Sequence, residues 1–212
     1  MIVAQTAGVP VAWLVARAAG LVAFGLFTIS ATLGLALSTK LLGGRRGKLL
    51  LGWHQTLMWT AFAMVGLHGA ALLLDPTINF GLSAVLVPGA APWRPLPVAA
   101  GIVVGWLVLA LAVSFNVRRR IGQRRWRLLH YASFAAFAVG LYHALNVGSD
   151  MTGTRGLILA GIFAAPVVWL AYARILMPRS KPRPAAAPRA VPPVLATIAE
   201  LPPQPDRTPV PT

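Results

Sequence analysis

Long apolar runs, separated by short polar or basic stretches, make up most of the chain. Five of these runs reach about 20 residues, the length that a helix needs to cross a hydrocarbon core of about 30 Å. The predicted spans cover residues 11–37, 49–74, 96–115, 126–147 and 155–176. The pattern therefore predicts an all-α fold, a polytopic transmembrane helix bundle of about five spans. Pro166 is the expected kink point of the fifth.

Composition supports the same class. The chain is 57% hydrophobic and only 11% charged, whereas about a quarter of the residues in a soluble domain are charged. A water-soluble protein of 212 residues could not bury so much apolar surface. Cysteine is absent, which excludes disulfides, thiolate metal sites, iron–sulfur clusters and covalent c-type haem.

The net charge of +15 is concentrated in alternate loops. Lysine and arginine are frequent after the first, third and fifth spans, and they are rare in the other loops, which hold Arg94 and Arg155 with Asp75 and Asp150. The positive-inside rule then predicts an inner (plasma) membrane protein with its N-terminus outside and its C-terminus in the cytoplasm. Membrane lipids are the expected partners of these basic loops and apolar spans, and no nucleic-acid motif accompanies them.

Both ends of the chain carry separate predictions. Residues 1–15 lack the basic region of a signal peptide, so the first apolar run is expected to be a retained span. Residues 178–212 hold eleven of the 18 prolines. They are predicted to form a disordered cytoplasmic tail beside the bundle of residues 1–177.

Four histidines, His54, His68, His130 and His143, all fall within predicted spans. Fourteen residues advance a helix by about 21 Å and return to within about 40° of the same face, so the first two are expected on one face of the second span. The second and fourth spans are parallel, which places His54 level with His130 near the cytoplasm and His68 level with His143 near the outside. The thirteen-residue interval leaves His143 about 140° off the face of His130. A bend or π-bulge, with Gly140 close by, must correct this.

Two facing imidazoles at one depth can supply both axial ligands of a haem held between helices. The constellation therefore predicts two stacked bis-histidine haems, with His54 and His130 on the inner iron and His68 and His143 on the outer iron. The alternatives are four separately satisfied polar residues, or a histidine-based transporter of protons or metal ions without haem.

The two histidine segments, "WHQTLMWTAFAMVGLH" and "HYASFAAFAVGLYH", resemble the transmembrane domain of the ferric reductase-like family. This family includes ferric reductases, NADPH oxidases and the haem membrane subunit of methionine sulfoxide reductase systems. The resemblance implies two b-type haems on these four histidines and transmembrane electron transfer. It also implies that Arg17, in "RAAGLVAFGLFTISATLG", lies near the outer haem.

The chain also departs from this family. Its members commonly have six spans, against five here, and the reductases continue into a flavin- and nicotinamide-binding domain. No Gly-x-Gly-x-x-Gly fingerprint follows the last span of this chain. The expected role is an oxidoreductase component that carries no flavin of its own. Electrons would come from a separate cytoplasmic flavoprotein or a quinol, and would leave to an outer acceptor such as an extracytoplasmic redox partner.

Further residues have two interpretations each. Arg17 is either a haem propionate partner or a side chain that snorkels to the interface. Arg124, Arg125 and Arg127 either neutralise propionates or only set topology, and Gly66, Gly69 and Gly140 either leave room for a macrocycle or are ordinary helix glycines. The aromatic residues Trp53, Trp59, Trp126 and Tyr142 are candidates for lining the haem pockets. Of these, Trp53 and Trp126 lie at span ends and are expected to act as interfacial anchors instead. Asp75 and Asp150 are expected to be solvated loop carboxylates.

Overall fold

The computed structural model describes residues 10–38 and 44–176, and the regular secondary structure of these residues is entirely helical. The helices are α1 (Val11–Ser38), α2 (Gly44–Leu73), α3 (Leu82–Leu86), α4 (Pro95–Ile121), α5 (Gln123–His130), α6 (Ala132–Val147) and α7 (Gly153–Leu176). A 3₁₀ turn at Ser149–Met151 joins α6 to α7. The predicted tail, residues 178–212, lies outside the described residues, as does Lys40 in the first loop.

Five helical segments are long and apolar enough to cross a membrane, and α5 and α6 together count as one of them. This confirms the predicted all-α bundle of five spans. Each span is longer than predicted at one end or both, because its terminal turns include basic or polar residues. Helix α4, for example, continues through Arg118 to Ile121.

The bundle buries small residues and exposes large apolar ones, which is the reverse of a soluble protein. Its most buried hydrophobic residues are mainly small, among them Ala16, Ala23 and Ala61. Large side chains face outward instead, with Trp169 70% and Ile175 79% exposed. Small residues let helix backbones approach closely inside a bilayer, where lipid solvates the large ones. The chain is thus a multi-pass membrane protein.

Two helical hairpins form the centre of the bundle. Helix α2 packs along α1, and α6 packs along α4, while α7 packs against α1. Helices α2 and α6 do not pack extensively on each other. The end of the bundle with the α1–α2 and α4–α5 connections carries most of the described arginines, and it is called the basic end below.

The opposite end is closed by the segment between α2 and α4. Phe80, Ala84 and Ala91 from this segment form a buried cluster with Val98 of α4. Trp106 of α4 donates a hydrogen bond from Nε1 to the carbonyl of Leu86, at 3.0 Å. This cluster fixes α3 across the ends of α2 and α4.

The fourth span is interrupted at Tyr131, directly after His130. The Tyr131 amide is shared between the carbonyls of Arg127 and Leu128, at 3.3 and 3.2 Å. Such bifurcation is typical of a tightened turn at a helix end. The fourth span is thus interrupted between His130 and His143, nine residues before Gly140.

Candidate functional site: two facing histidine pairs

The four histidines lie in two pairs between α2 and the α5–α6 span. The ring centroids of His54 and His130 are 6.3 Å apart, and those of His68 and His143 are 6.4 Å apart. The ring planes cross at 80° in the first pair and at 87° in the second. We call His54 and His130, nearer the basic end, the proximal pair, and His68 and His143 the distal pair.

Three of the four imidazoles are oriented by backbone carbonyls. His68 Nδ1 donates to the carbonyl of Ala16 at 2.7 Å, and His143 Nδ1 donates to the carbonyl of Pro97 at 2.8 Å. His54 Nδ1 donates to the carbonyl of Ser30 at 2.8 Å, with Ser30 Oγ 2.9 Å from the same nitrogen. A donating Nδ1–H fixes the tautomer in which Nε2 has a free lone pair. Each of these rings can therefore offer Nε2 to a ligand.

A glycine follows each accepting carbonyl four residues later. A side chain in a helix covers the turn on its N-terminal side, so the residue at i+4 lies over the carbonyl of residue i. A Cβ on Gly20 would lie 3.1 Å from His68 Nδ1, and one on Gly34 would lie 3.3 Å from His54 Cε1. A Cβ on Gly101 would overlap the ring of His143. Because these three positions have no side chain, the imidazoles can reach the accepting carbonyls.

His130 is held differently. Its ring stacks on Trp126 of the same helix, with centroids 5.0 Å apart and planes 20° apart. Its Nδ1 is buried without a hydrogen-bond partner among the described residues, and so is Trp126 Nε1. The structure thus places Trp126 against a candidate ligand.

The environment of the pairs is half-buried and poor in other ligands. All four histidines are of intermediate exposure. Within residues 10–38 and 44–176, no three His, Asp or Glu side chains converge in a group that could hold a metal ion. Each pair thus offers two imidazoles to a ligand, and neither belongs to a larger carboxylate site.

An aromatic cluster lies between the levels of the two pairs. Phe24 of α1 stacks on Phe137 at 5.5 Å and meets the edge of Phe163 at 5.2 Å. A Cβ on Gly140 would lie 3.5 Å from the Phe24 ring. This is an ordinary van der Waals distance, so Gly140 packs against Phe24 and lies away from the imidazoles.

Arg17 forms an ion pair with Asp150 in the α6–α7 connection. Its Nε donates to Asp150 Oδ2 at 2.8 Å, its Nη2 donates to Oδ1, and its guanidinium lies 4.0 Å from the centre of the Trp13 ring. Arg17 follows Ala16, whose carbonyl holds His68. Neither interpretation from the sequence included this carboxylate, and the expectation that Asp150 is solvated was wrong.

Asp75 was also expected to be solvated, but it is only 2% exposed. Its Oδ1 accepts a hydrogen bond from the Thr77 amide at 2.8 Å, and its backbone carbonyl accepts one from the Asn79 amide at 3.1 Å. Asp75 therefore organises the turn that leads from α2 to α3. Its buried Oδ2 has no partner among the described residues.

The other candidates lie away from the imidazoles or at the surface. A Cβ on Gly66 would meet nothing within 4 Å, and one on Gly69 would lie 3.1 Å from Val85 of α3. Trp53, Trp59, Tyr142, Arg124, Arg125 and Arg127 are exposed. Exposure at the bundle surface agrees with interfacial anchors and topology-setting charges.

Sequence reasoning missed Ser30, Gly20 and Gly34, although a signal was present. Gly20 and Gly34 are fourteen residues apart, the same interval as His54 and His68. In two antiparallel helices that interval brings one glycine to each histidine. The role of Gly101 was also missed.

Together, the fold and this site define a multi-pass helical membrane protein with four histidines in two facing pairs. Comparisons with protein-family models, curated proteins and solved structures found no match to this chain.

Proposed function

We propose that the proximal and distal pairs bind two b-type haems and that the protein carries electrons across a membrane through them. The observation that carries the proposal is the matched spacing of the two pairs, 6.3 and 6.4 Å between ring centroids. Two unrelated contacts between histidines would have no reason to agree so closely.

The spacing fits one metal between two imidazoles. With a metal–nitrogen bond of about 2.0 Å and a ring centroid about 1.1–1.2 Å further on, two imidazoles on opposite sides of one metal have centroids about 6.3 Å apart. The ring planes in each pair are nearly perpendicular, so the rings are not stacked face to face. The distance therefore suits a ligand held between the rings.

The hydrogen bonds also suit iron ligation. Histidines that bind metals commonly donate the other ring N–H to a carbonyl or carboxylate, which fixes the ring and raises its basicity. His54, His68 and His143 do so through Nδ1. A transport pathway for protons would not need three rings fixed in one tautomer.

The sparse packing between α2 and α6 supports the proposal. Helices α2 and α6 each pack on a different neighbour and make little contact with each other. Haem in such a site supplies one-electron chemistry between ferric and ferrous iron. The chain's own part is to hold four imidazoles at two levels, about 21 Å apart along α2 by the helical rise.

The direction of transfer follows from the charge asymmetry. The basic end carries Arg45, Arg46, Lys48, Arg118, Arg119, Arg120, Arg124, Arg125 and Arg127, so we assign it to the cytoplasm. In this orientation a flavoprotein or a quinol delivers electrons on the side of the proximal pair. An extracytoplasmic acceptor receives them on the side of the distal pair, and the membrane is the inner one.

The test is haem content and its dependence on each histidine. The purified protein should show reduced b-type bands, and a pyridine haemochrome assay should give two haems per chain. His54→Ala and His130→Ala should each remove the same haem, and His68→Ala and His143→Ala the other.

The pairing makes this test specific. A double variant within one pair should lose no more haem than either single variant, whereas a double variant across pairs should lose both haems. A colourless protein would overturn the proposal and favour a proton or metal-ion pathway. The proposal would also be contradicted if the two histidines of one pair did not affect the same haem.

A further inference from the structure

Both hairpins use helix carbonyls to accept hydrogen bonds from the histidines, and His130 is the exception. Along α1, the accepting carbonyls belong to Ala16 and Ser30, fourteen residues apart. Along α4, Pro97 holds His143, so the same interval leads to Leu111 as the expected acceptor for His130. The residue four positions after Leu111, where the other three sites have glycine, is Phe115.

The local contacts show why the fourth hydrogen bond is missing. Ser114 Oγ donates to the carbonyl of Leu111 at 2.7 Å. The Phe115 ring lies against Trp126, with centroids 6.0 Å apart, and the Arg118 guanidinium covers Phe115 at 3.7 Å. Trp126 in turn stacks on His130. At His130, ring contacts that involve Trp126 and Phe115 take the place of the accepting carbonyl and the glycine found at the other three sites.

We propose that Trp126 is the positioning residue of His130, and that the proximal haem is consequently the more weakly held of the two and has the higher midpoint potential. This inference rests on the proposed function. Stacking on Trp126 orients the imidazole of His130. Unlike a hydrogen bond to a carbonyl, it does not polarise the Nδ1–H group.

The physical reason is the strength of the imidazole as an electron donor. A hydrogen bond from Nδ1–H to a carbonyl raises the basicity of the ligating nitrogen, and a more basic ligand favours ferric iron. Both distal ligands have this bond, whereas only His54 has it in the proximal pair. The proximal site therefore favours the ferrous state more than the distal site does. Transfer from the proximal to the distal haem is then an uphill step, which the final acceptor must drive.

The first experiment is an optical redox titration of the purified protein. His68→Ala leaves only the proximal haem and His54→Ala only the distal one, so each wild-type potential can be assigned. The proximal haem should have the higher potential. A proximal potential equal to or below the distal one would overturn the inference.

The second experiment tests the stack. Trp126→Leu should weaken haem affinity at the proximal pair by roughly tenfold to a hundredfold, the usual effect of losing a residue that supports a metal ligand. Trp126→Phe retains a stacking ring and should keep both haems. Trp59→Leu is the control, because Trp59 contacts Phe62 on the exposed side of α2.

A third variant restores the repeat. Phe115→Gly combined with Ser114→Ala should open the Leu111 carbonyl to His130 and lower the proximal potential towards the distal value.

A wild-type protein without haem would contradict the proposed function itself. Two haems that respond equally to Trp126→Leu, or only to Trp59→Leu, would contradict this inference alone.

Discussion

His143 donates a hydrogen bond from Nδ1 to the carbonyl oxygen of Pro97, at 2.8 Å. This bond joins the outer turn of α6 to the first turn of α4. A second bond supports it, because the Arg94 guanidinium donates to the carbonyl of Asn146, one turn after His143. The position of the distal pair thus depends on the Pro97 carbonyl, which is accessible because Gly101 has no side chain.

Gly101→Ala should displace His143. A Cβ at this position would overlap the imidazole, and overpacking of this kind costs about 1–3 kcal/mol. Under the proposed function, haem content should fall from two to one per chain, with the distal haem lost. Gly105→Ala is the matched control, since its Cβ would lie 3.9 Å from Val65. Equal haem loss in both variants would show that Gly101 has no special relation to His143.

Ser30→Ala should have a small effect. Ser30 is fully buried, and its hydroxyl donates to the His54 carbonyl at 3.1 Å. The main-chain carbonyl that holds His54 Nδ1 remains after the substitution, so the expected cost is about 0.5–1.5 kcal/mol of stability. Under the proposed function, both haems should remain. Thermal unfolding in detergent, with Ser38→Ala as the control, measures the cost. Loss of the proximal haem would mean that the hydroxyl, and not the carbonyl, orients His54.

Arg17 and Asp150 should behave as one unit. Each is about one-third exposed, and the bidentate contact joins α1 to the α6–α7 connection. Arg17→Gln and Asp150→Asn should each lower stability, and the double variant should cost less than their sum, by a coupling of about 0.5–3 kcal/mol. Arg155→Gln, on an exposed side chain of the same end, is the control. If Arg17 instead serves a haem propionate, Arg17→Gln should shift the distal potential while Asp150→Asn leaves it unchanged.

Asp75→Ala should loosen the segment that closes the end of the bundle beside the distal pair. The substitution removes the acceptor of the Thr77 amide. Because Thr77 is exposed, the expected cost is that of one lost hydrogen bond, about 0.5–1.5 kcal/mol. Asp75→Asn keeps an acceptor at Oδ1 and should be milder. Hydrogen exchange at the Thr77 and Asn79 amides reports the change. Equal protection in wild type and Asp75→Ala would contradict this role.

Much of the candidate site could be predicted from spacing alone. The intervals between His54 and His68, and between His130 and His143, together with parallel spans, predicted which imidazoles face each other, and the structure brings these residues together. Helical rise and rotation are constant enough for this inference. Rotation also predicted a bend or π-bulge between His130 and His143. The structure interrupts the span at Tyr131, within this interval, and this position was not predicted.

The contacts of the charged residues were less predictable. Asp150 lies 133 positions from Arg17, and its pairing depends on how the α6–α7 turn meets α1. Asp75 is only 2% exposed, and its burial depends on the packing around the turn between α2 and α3. A loop carboxylate has the same local sequence whether it is solvated or paired, so neither contact has a sequence signal of its own.

By itself, the sequence determined that this is a membrane protein of five spans with histidines at two levels, because both properties follow from apolar length and helical periodicity. Only the tertiary structure decided which groups orient these histidines. The carbonyls of Ala16, Ser30 and Pro97 are chemically like every other helix carbonyl, and they become acceptors only where a neighbouring helix brings an imidazole to them. His130 differs for the same reason, since at its level the residues of α4 and α5 meet as a stack of rings.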